Sequence, residues 1–133
     1  MKPAHENAQL AHLALSVLPV TPLRRYHMIE RCGGAAAALA EWRDARVTDE
    51  AVARARRFAD EELARVTRAG VRLLLSGDAA YPATLREIPD RPVLLYCRGR
   101  LELQAPLAIV GARKPSPYGL TTAERFAERL AAG

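Results

Sequence analysis

The sequence has little that would tie it to a metal, a disulfide or a membrane. Its two cysteines, Cys32 and Cys97, lie far apart with no ligand-type residues at metal spacing, so both are expected as reduced thiols that pack like small hydrophobes. His5, His12 and His27 form no zinc or catalytic pattern. No apolar run is long enough to span a bilayer and no charged-then-apolar segment opens the chain, so a cytoplasmic location is expected. Aromatic residues make up only 5% of the chain, which leaves a core of Leu, Val and Ile diluted by many alanines. G-x-G-x-x-G would need a glycine at Arg113 and no G-K-[ST] occurs, so neither phosphate-binding fingerprint is present. Asp60, Glu61 and Glu62 sit among arginines and read as solvated charges rather than as a general acid and base.

Half of the 133 residues are hydrophobic, enough for one small domain or one domain and part of another. The net charge of +5 and pI near 9.8 favour acidic partners, of which nucleic acid is the commonest for a basic domain.

Taken in order, Met1 to Asn7 are polar and expected to fray. Leu10, Leu13, Leu15 and Val17 mark a short helix over residues 9–18, ended by Pro19. Thr21-Pro22 is an N-cap followed by proline at the first helical position. The next helix should turn Leu23, Tyr26 and Ile29 inward, with Met28 a further candidate, and stop before Gly33-Gly34. Helix, short turn and helix match a helix-hairpin-helix outline, but Pro19 and Pro22 remove two N–H donors and no glycine admits a phosphate. A support or interaction role is therefore one reading of this module, and Arg24, Arg25 and Arg31 keep DNA binding as the other. Ala35 to Trp42 continues as helix, with Trp42 either filling a helix junction or stacking on a base.

Thr48, Asp49 and Glu50 open the clearest helix, whose Val52, Ala55, Ala59, Leu63 and Val66 share a face before Gly70. Val71–Leu75 reads as a strand and Tyr81-Pro82 as the start of a short helix to about Ile88. Pro92–Cys97 is a second strand, and Arg98-Gly99-Arg100 leads through Leu101 and Leu103 to a third. The alternation predicts an α/β layer with a largely parallel sheet.

Leu107 to Gly119, LAIVGARKPSPYG, concentrates the chemistry. An apolar run, Leu107 to Val110, has the character of a strand buried on both faces; it stops at Gly111, and a helix follows. Its inner face would carry Ala123, Phe126, Ala127 and Leu130, with Thr121 and Glu124 at capping-box spacing, or an earlier start near Pro117, and Gly133 as C-cap. A turn of this kind places helix N–H groups where anions bind. Gly111 would let the backbone come close, Arg113 would clamp a phosphate bidentately and Lys114 would add a less directional charge. Ser116 and the N–H groups up to Gly119 are further donors, and Tyr118 is open to stacking or to packing under the turn. A structural strand-to-helix turn explains the lone glycine equally well.

Two strings carry a family resemblance: YPATLREIPDRPVLLYCRG and, after it, AIVGARKPSPYGLTTAERFAERLA. In order and spacing they closely resemble the DNA-processing protein A family (DprA, also called Smf), over most of the chain from about Leu10. The resemblance implies a helical module of the SAM or helix-hairpin-helix type over residues 1–69, followed at 70–133 by the start of an extended, parallel Rossmann-like domain. It implies binding of single-stranded DNA, with Arg113 on the backbone and Gly111, Ala112, Lys114, Ser116, Tyr118 and Gly119 around it. By the same resemblance the chain would act in natural transformation and recombination, protect incoming strands, help load RecA and form a homodimer, as a binding protein with no catalytic residues and no cofactor. The family's domain continues with more strands, so the sequence is expected to be truncated within that domain, naturally or as a fragment. A Rossmann-like nucleotide-binding enzyme or sensor would need an acidic base that Asp78, Asp90 and Glu124 do not convincingly supply. A truncated protein-interaction module is the third reading.

Overall fold

A computed structural model describes residues 3–101 and 107–132 and divides the chain into two compact units, Met1–Leu101 and Glu102–Gly133. Leu103, Gly133 and the first two residues, about which the sequence makes predictions, lie outside the described residues.

The first unit is built on α1 (Ala4–Ser16), which packs against α3 (Ala35–Glu41), α4 (Asp49–Arg68) and both strands. Contact on so many sides explains why the consecutive residues Leu13, Ala14 and Leu15 are all fully buried, where a helix lying on a surface would hide one stripe. The helix begins at Ala4, with Pro3 before it, so the residues from Ala4 to Asn7 are helical rather than frayed.

A turn containing Leu18 and Val20, both buried, leads to α2 (Pro22–Arg31). Thr21 caps α2 as its sequence predicts, its Oγ1 accepting from Arg24 N–H at 3.3 Å. The inner face is corrected. Met28 is the fully buried residue, Tyr26 and Ile29 are half-buried and Leu23 is 42% exposed, because α2 meets the core along one narrow line. Gly33, at φ 75°, ends the helix, and Gly34 N–H donates to Ile29 C=O at 2.8 Å.

Trp42 closes α3 and is fixed from two sides. Its indole N–H donates to Asp44 Oδ2 at 2.8 Å, and the Arg31 guanidinium lies 5.4 Å from the ring centre. Asp44 also accepts from the N–H groups of Arg46 and Val47. These bonds, the Trp42 one foremost, pull its carboxyl down to about 2.

Thr48 Oγ1 accepts from Ala51 N–H at 3.2 Å and starts α4, which buries Ala51, Val52, Ala55, Ala59 and Val66 along one face. Leu63 is half-buried. Glu62 departs from the expectation of a solvated charge. It is only 7% exposed, accepts from Arg65 Nε at 2.7 Å and interacts with the Tyr96 hydroxyl. Interleaving with arginines does not distinguish an outward carboxylate from one at the edge of the buried stripe; a sheet tyrosine above it decides the matter.

The chain turns at Gly70, φ 64°, into β1 (Arg72–Leu75) and, after the short helix α5 (Ala83–Arg86), into β2 (Leu94–Cys97). The strands pair antiparallel, Arg72 opposite Cys97 and Leu75 opposite Leu94, which corrects the parallel arrangement expected. A parallel return needs a crossover that carries the chain back to the starting end, and a single helical turn between the strands does not supply one. Period-two alternation then splits the side chains. Leu73, Leu75 and Leu94 join the helical core, while Leu74 and Cys97 join Tyr81, with Leu85 and Leu95 packed against them. One core thus includes Val66 and Leu73 on either side of the boundary between 69 and 70 that the sequence suggests.

In the second unit, residues 107–116 are non-helical and α6 (Pro117–Ala131) follows. The expected strand at Leu107–Val110 is not formed: among the described residues the sheet contains β1 and β2 alone, and Leu107, Ile109 and Val110 are exposed. An apolar run becomes a strand only where a neighbour completes its ladder.

Candidate nucleic-acid interface

The stretch from Gly111 to Gly119 is an open turn in front of a well-capped helix. Ser116 Oγ accepts from Gly119 N–H at 3.2 Å, Ser116 C=O accepts from Leu120 N–H at 3.0 Å, and Pro117 sits at the first helical position without an N–H. The cap therefore takes up the Gly119 and Leu120 N–H groups and leaves that of Tyr118. Ser116 acts through its lone pair, so its hydroxyl hydrogen is still available to a ligand. The same geometry corrects the capping box, since Thr121 and Glu124 lie inside α6.

Gly111 has no positive φ, and a Cβ built on it meets nothing within 4 Å. The fold of this chain does not itself require glycine there. Gly119, inside the helix, is closer packed, with Ser116 Oγ 3.5 Å and Pro115 Cβ 3.7 Å from such a Cβ. Ala112, Arg113 and Lys114 are exposed, as is Tyr118 at 80%, so the structure brings the predicted residues onto one short solvent-facing stretch. Of the two roles open to Tyr118, packing under the turn is not the one adopted.

Several cations of the first unit are engaged within it, although Arg46, Arg56, Arg57, Arg68 and Arg98 have no side-chain partner among the described residues. In the first unit Arg24 pairs with Asp44 at 2.6 Å, Arg43 with Asp49 at 2.6 Å and Arg54 with Glu50 at 2.5 Å. Arg25 donates to the carbonyls of Leu18 and Val20 at 3.2 and 3.3 Å, and its burial lowers its pKa. Arg31 covers Trp42 and Arg91 lies 3.6 Å from the Tyr26 ring centre. All three arginines that kept DNA binding open for the helical hairpin are thus occupied within the protein. In the second unit, among the described residues, Arg113, Lys114, Arg125 and Arg129 make no ion pair or hydrogen bond.

Sequence reasoning did not single out the face of α6 on which Tyr118, Thr122, Arg125, Phe126 and Arg129 line a shallow concavity of about 260 Å³. Steps of three and four between these positions were the available signal, but the eye follows the apolar stripe. Asp78, weighed as a possible base, has a structural role: its Oδ2 accepts from Leu75 N–H at 2.8 Å. Cys32 is half-buried and Cys97 buried, both as free thiols. Among the described residues no helix is long and apolar enough to cross a membrane, and no group of three or more His, Cys, Asp or Glu is placed to hold a metal ion.

Compared with known proteins, residues 72–133 match the family model of DNA recombination-mediator protein A. The search of curated proteins and the search of solved structures each returned no match.

Proposed function

We propose, from the match of residues 72–133 to the family model of DNA recombination-mediator protein A, that the chain binds single-stranded DNA in recombination and natural transformation through the turn from Gly111 to Gly119. The observation that carries this reading is the adjacent Arg113 and Lys114, without a partner among the described residues, on an exposed backbone that glycine leaves uncrowded. Arg113 grips a phosphate through paired N–H donors, Lys114 adds charge, and the Tyr118 N–H and Ser116 hydroxyl complete a small cradle. The interaction is with backbone rather than base edges, so it tolerates any sequence and weakens as salt rises.

In this reading residues 70–133 belong to a Rossmann-like DNA-binding domain, with residues 1–69 as a SAM or helix-hairpin-helix-like support. The protein acts in the cytoplasm as a binding protein, not an enzyme, protecting incoming strands and helping to load RecA, as a homodimer.

The test is anisotropy of a labelled oligothymidylate titrated with the wild-type chain, Arg113→Ala and Arg57→Ala, at two salt concentrations. Removing one charge-assisted bond to phosphate weakens binding about tenfold or more. Arg57, an exposed arginine of α4, serves as the control and should change affinity less than about twofold. Equal effects of the two variants, or no binding by any of the three, would sink the reading.

A further inference from the structure

α6 carries three kinds of surface. At about 100° per residue, Leu120, Ala123, Ala127 and Leu130 form one stripe, and Glu124 and Glu128 lie on another side. Tyr118, Thr122, Arg125 and Arg129 fall on a third, turned roughly 140° from the apolar stripe, with Phe126 between them. These last five residues line the concavity of about 260 Å³. Tyr118 is 80% and Phe126 59% exposed. Arg125 and Arg129 have no protein partner among the described residues.

We infer that this face of α6 is a stacking platform for single-stranded nucleic acid, continuing the strand's path from the Arg113–Lys114 turn along the helix. The inference rests on the DNA-binding reading above and extends it to the Tyr118 ring and to Thr122, Arg125, Phe126 and Arg129, which that reading does not use. Aromatic rings interleaved with arginines on one open surface are what a flexible polyanion with exposed bases requires: rings take the bases and guanidinium groups take the phosphates. Tyr118 and Phe126 are eight positions apart, about 12 Å along the axis, which leaves room for more than one nucleotide. Charge selects the occupant. The face is cationic and its carboxylates, Glu124 and Glu128, point elsewhere, so an acidic strand fits where an apolar protein partner would strand two arginines. Covering the apolar stripe of α6 leaves the platform open, because the two lie on nearly opposite sides.

The experiment titrates labelled oligothymidylate with the full chain, with Arg125→Ala/Arg129→Ala, with Arg125→Lys/Arg129→Lys and with Tyr118→Ala, beside Arg113→Ala. Removing both arginines should weaken binding and flatten the plot of log affinity against log salt by about 0.7 for each phosphate that is no longer neutralised. The double lysine variant should keep that slope, which a folding defect would not. Tyr118→Ala should weaken binding about 5- to 100-fold with the slope unchanged, as expected when a base no longer stacks. If Arg113→Ala weakens binding while the α6 variants match wild type in affinity and slope, the platform is wrong and the DNA reading stands. If the wild-type chain does not bind, both fall.

Discussion

α4 and α6 are both amphipathic, both start at a hydroxyl cap and both carry basic residues in the last turn, yet one hides a face and the other has no buried residue. Six residues of α4 are buried, including a carboxylate, while α6 buries none and leaves Leu120, Phe126 and Leu130 more than half exposed. The difference does not lie in the helices. It lies in α1, whose many-sided apolar surface gives α4 something to cover. A periodic pattern therefore specifies a face, and only the rest of the fold specifies what that face meets.

The strongest way to break the comparison is to delete one leucine from each unit. Leu13→Ala, at a fully buried position on α1, should cost about 3 kcal/mol in urea-induced unfolding, and Leu130→Ala on α6 less than about 0.5. Similar losses would mean that the apolar stripe of α6 is covered in solution. The caps give a finer contrast. Thr48→Ala should lower global stability by about 1 kcal/mol, whereas Ser116→Ala should reduce far-ultraviolet helical signal without moving the main unfolding midpoint.

The titration of Tyr96 tests the contact between α4 and the sheet. Partial burial and the interaction with Glu62 push its hydroxyl from 10.0 up to about 12. The raised value favours the protonated form in the folded chain, so its contribution is fully present below pH 10.0 and is lost as pH rises toward about 12. Tyr96→Phe should flatten that alkaline decline relative to wild type; an unchanged decline would show that Tyr26 and Tyr81, also raised, account for it.

Local signals were legible in the sequence and non-local ones were not. Thr21, Thr48, Gly33 and Gly70 announce where helices begin and end because their chemistry acts on neighbouring backbone. Both strands, within a residue or two, follow from their apolar runs. Antiparallel pairing, the burial of Glu62 and the outward turn of Leu23 depend on residues far along the chain, and no local pattern encodes them. At the candidate site the cationic turn was legible as a string. The use of Ser116 as a cap and the grouping of Arg125 and Arg129 with Tyr118 needed the helix register, which depends on starting at Pro117.

The central place of α1 also sets a schedule for synthesis. Its Leu13 and Leu15 leave the ribosome well before Leu94 of β2, which completes the same core roughly 80 residues later. At about 5 to 20 residues per second that interval lasts on the order of 4 to 16 s. Throughout it the helix on which the core is built is in water without its full set of neighbours, so the nascent chain is most vulnerable to chaperone capture or aggregation before its second strand has been made.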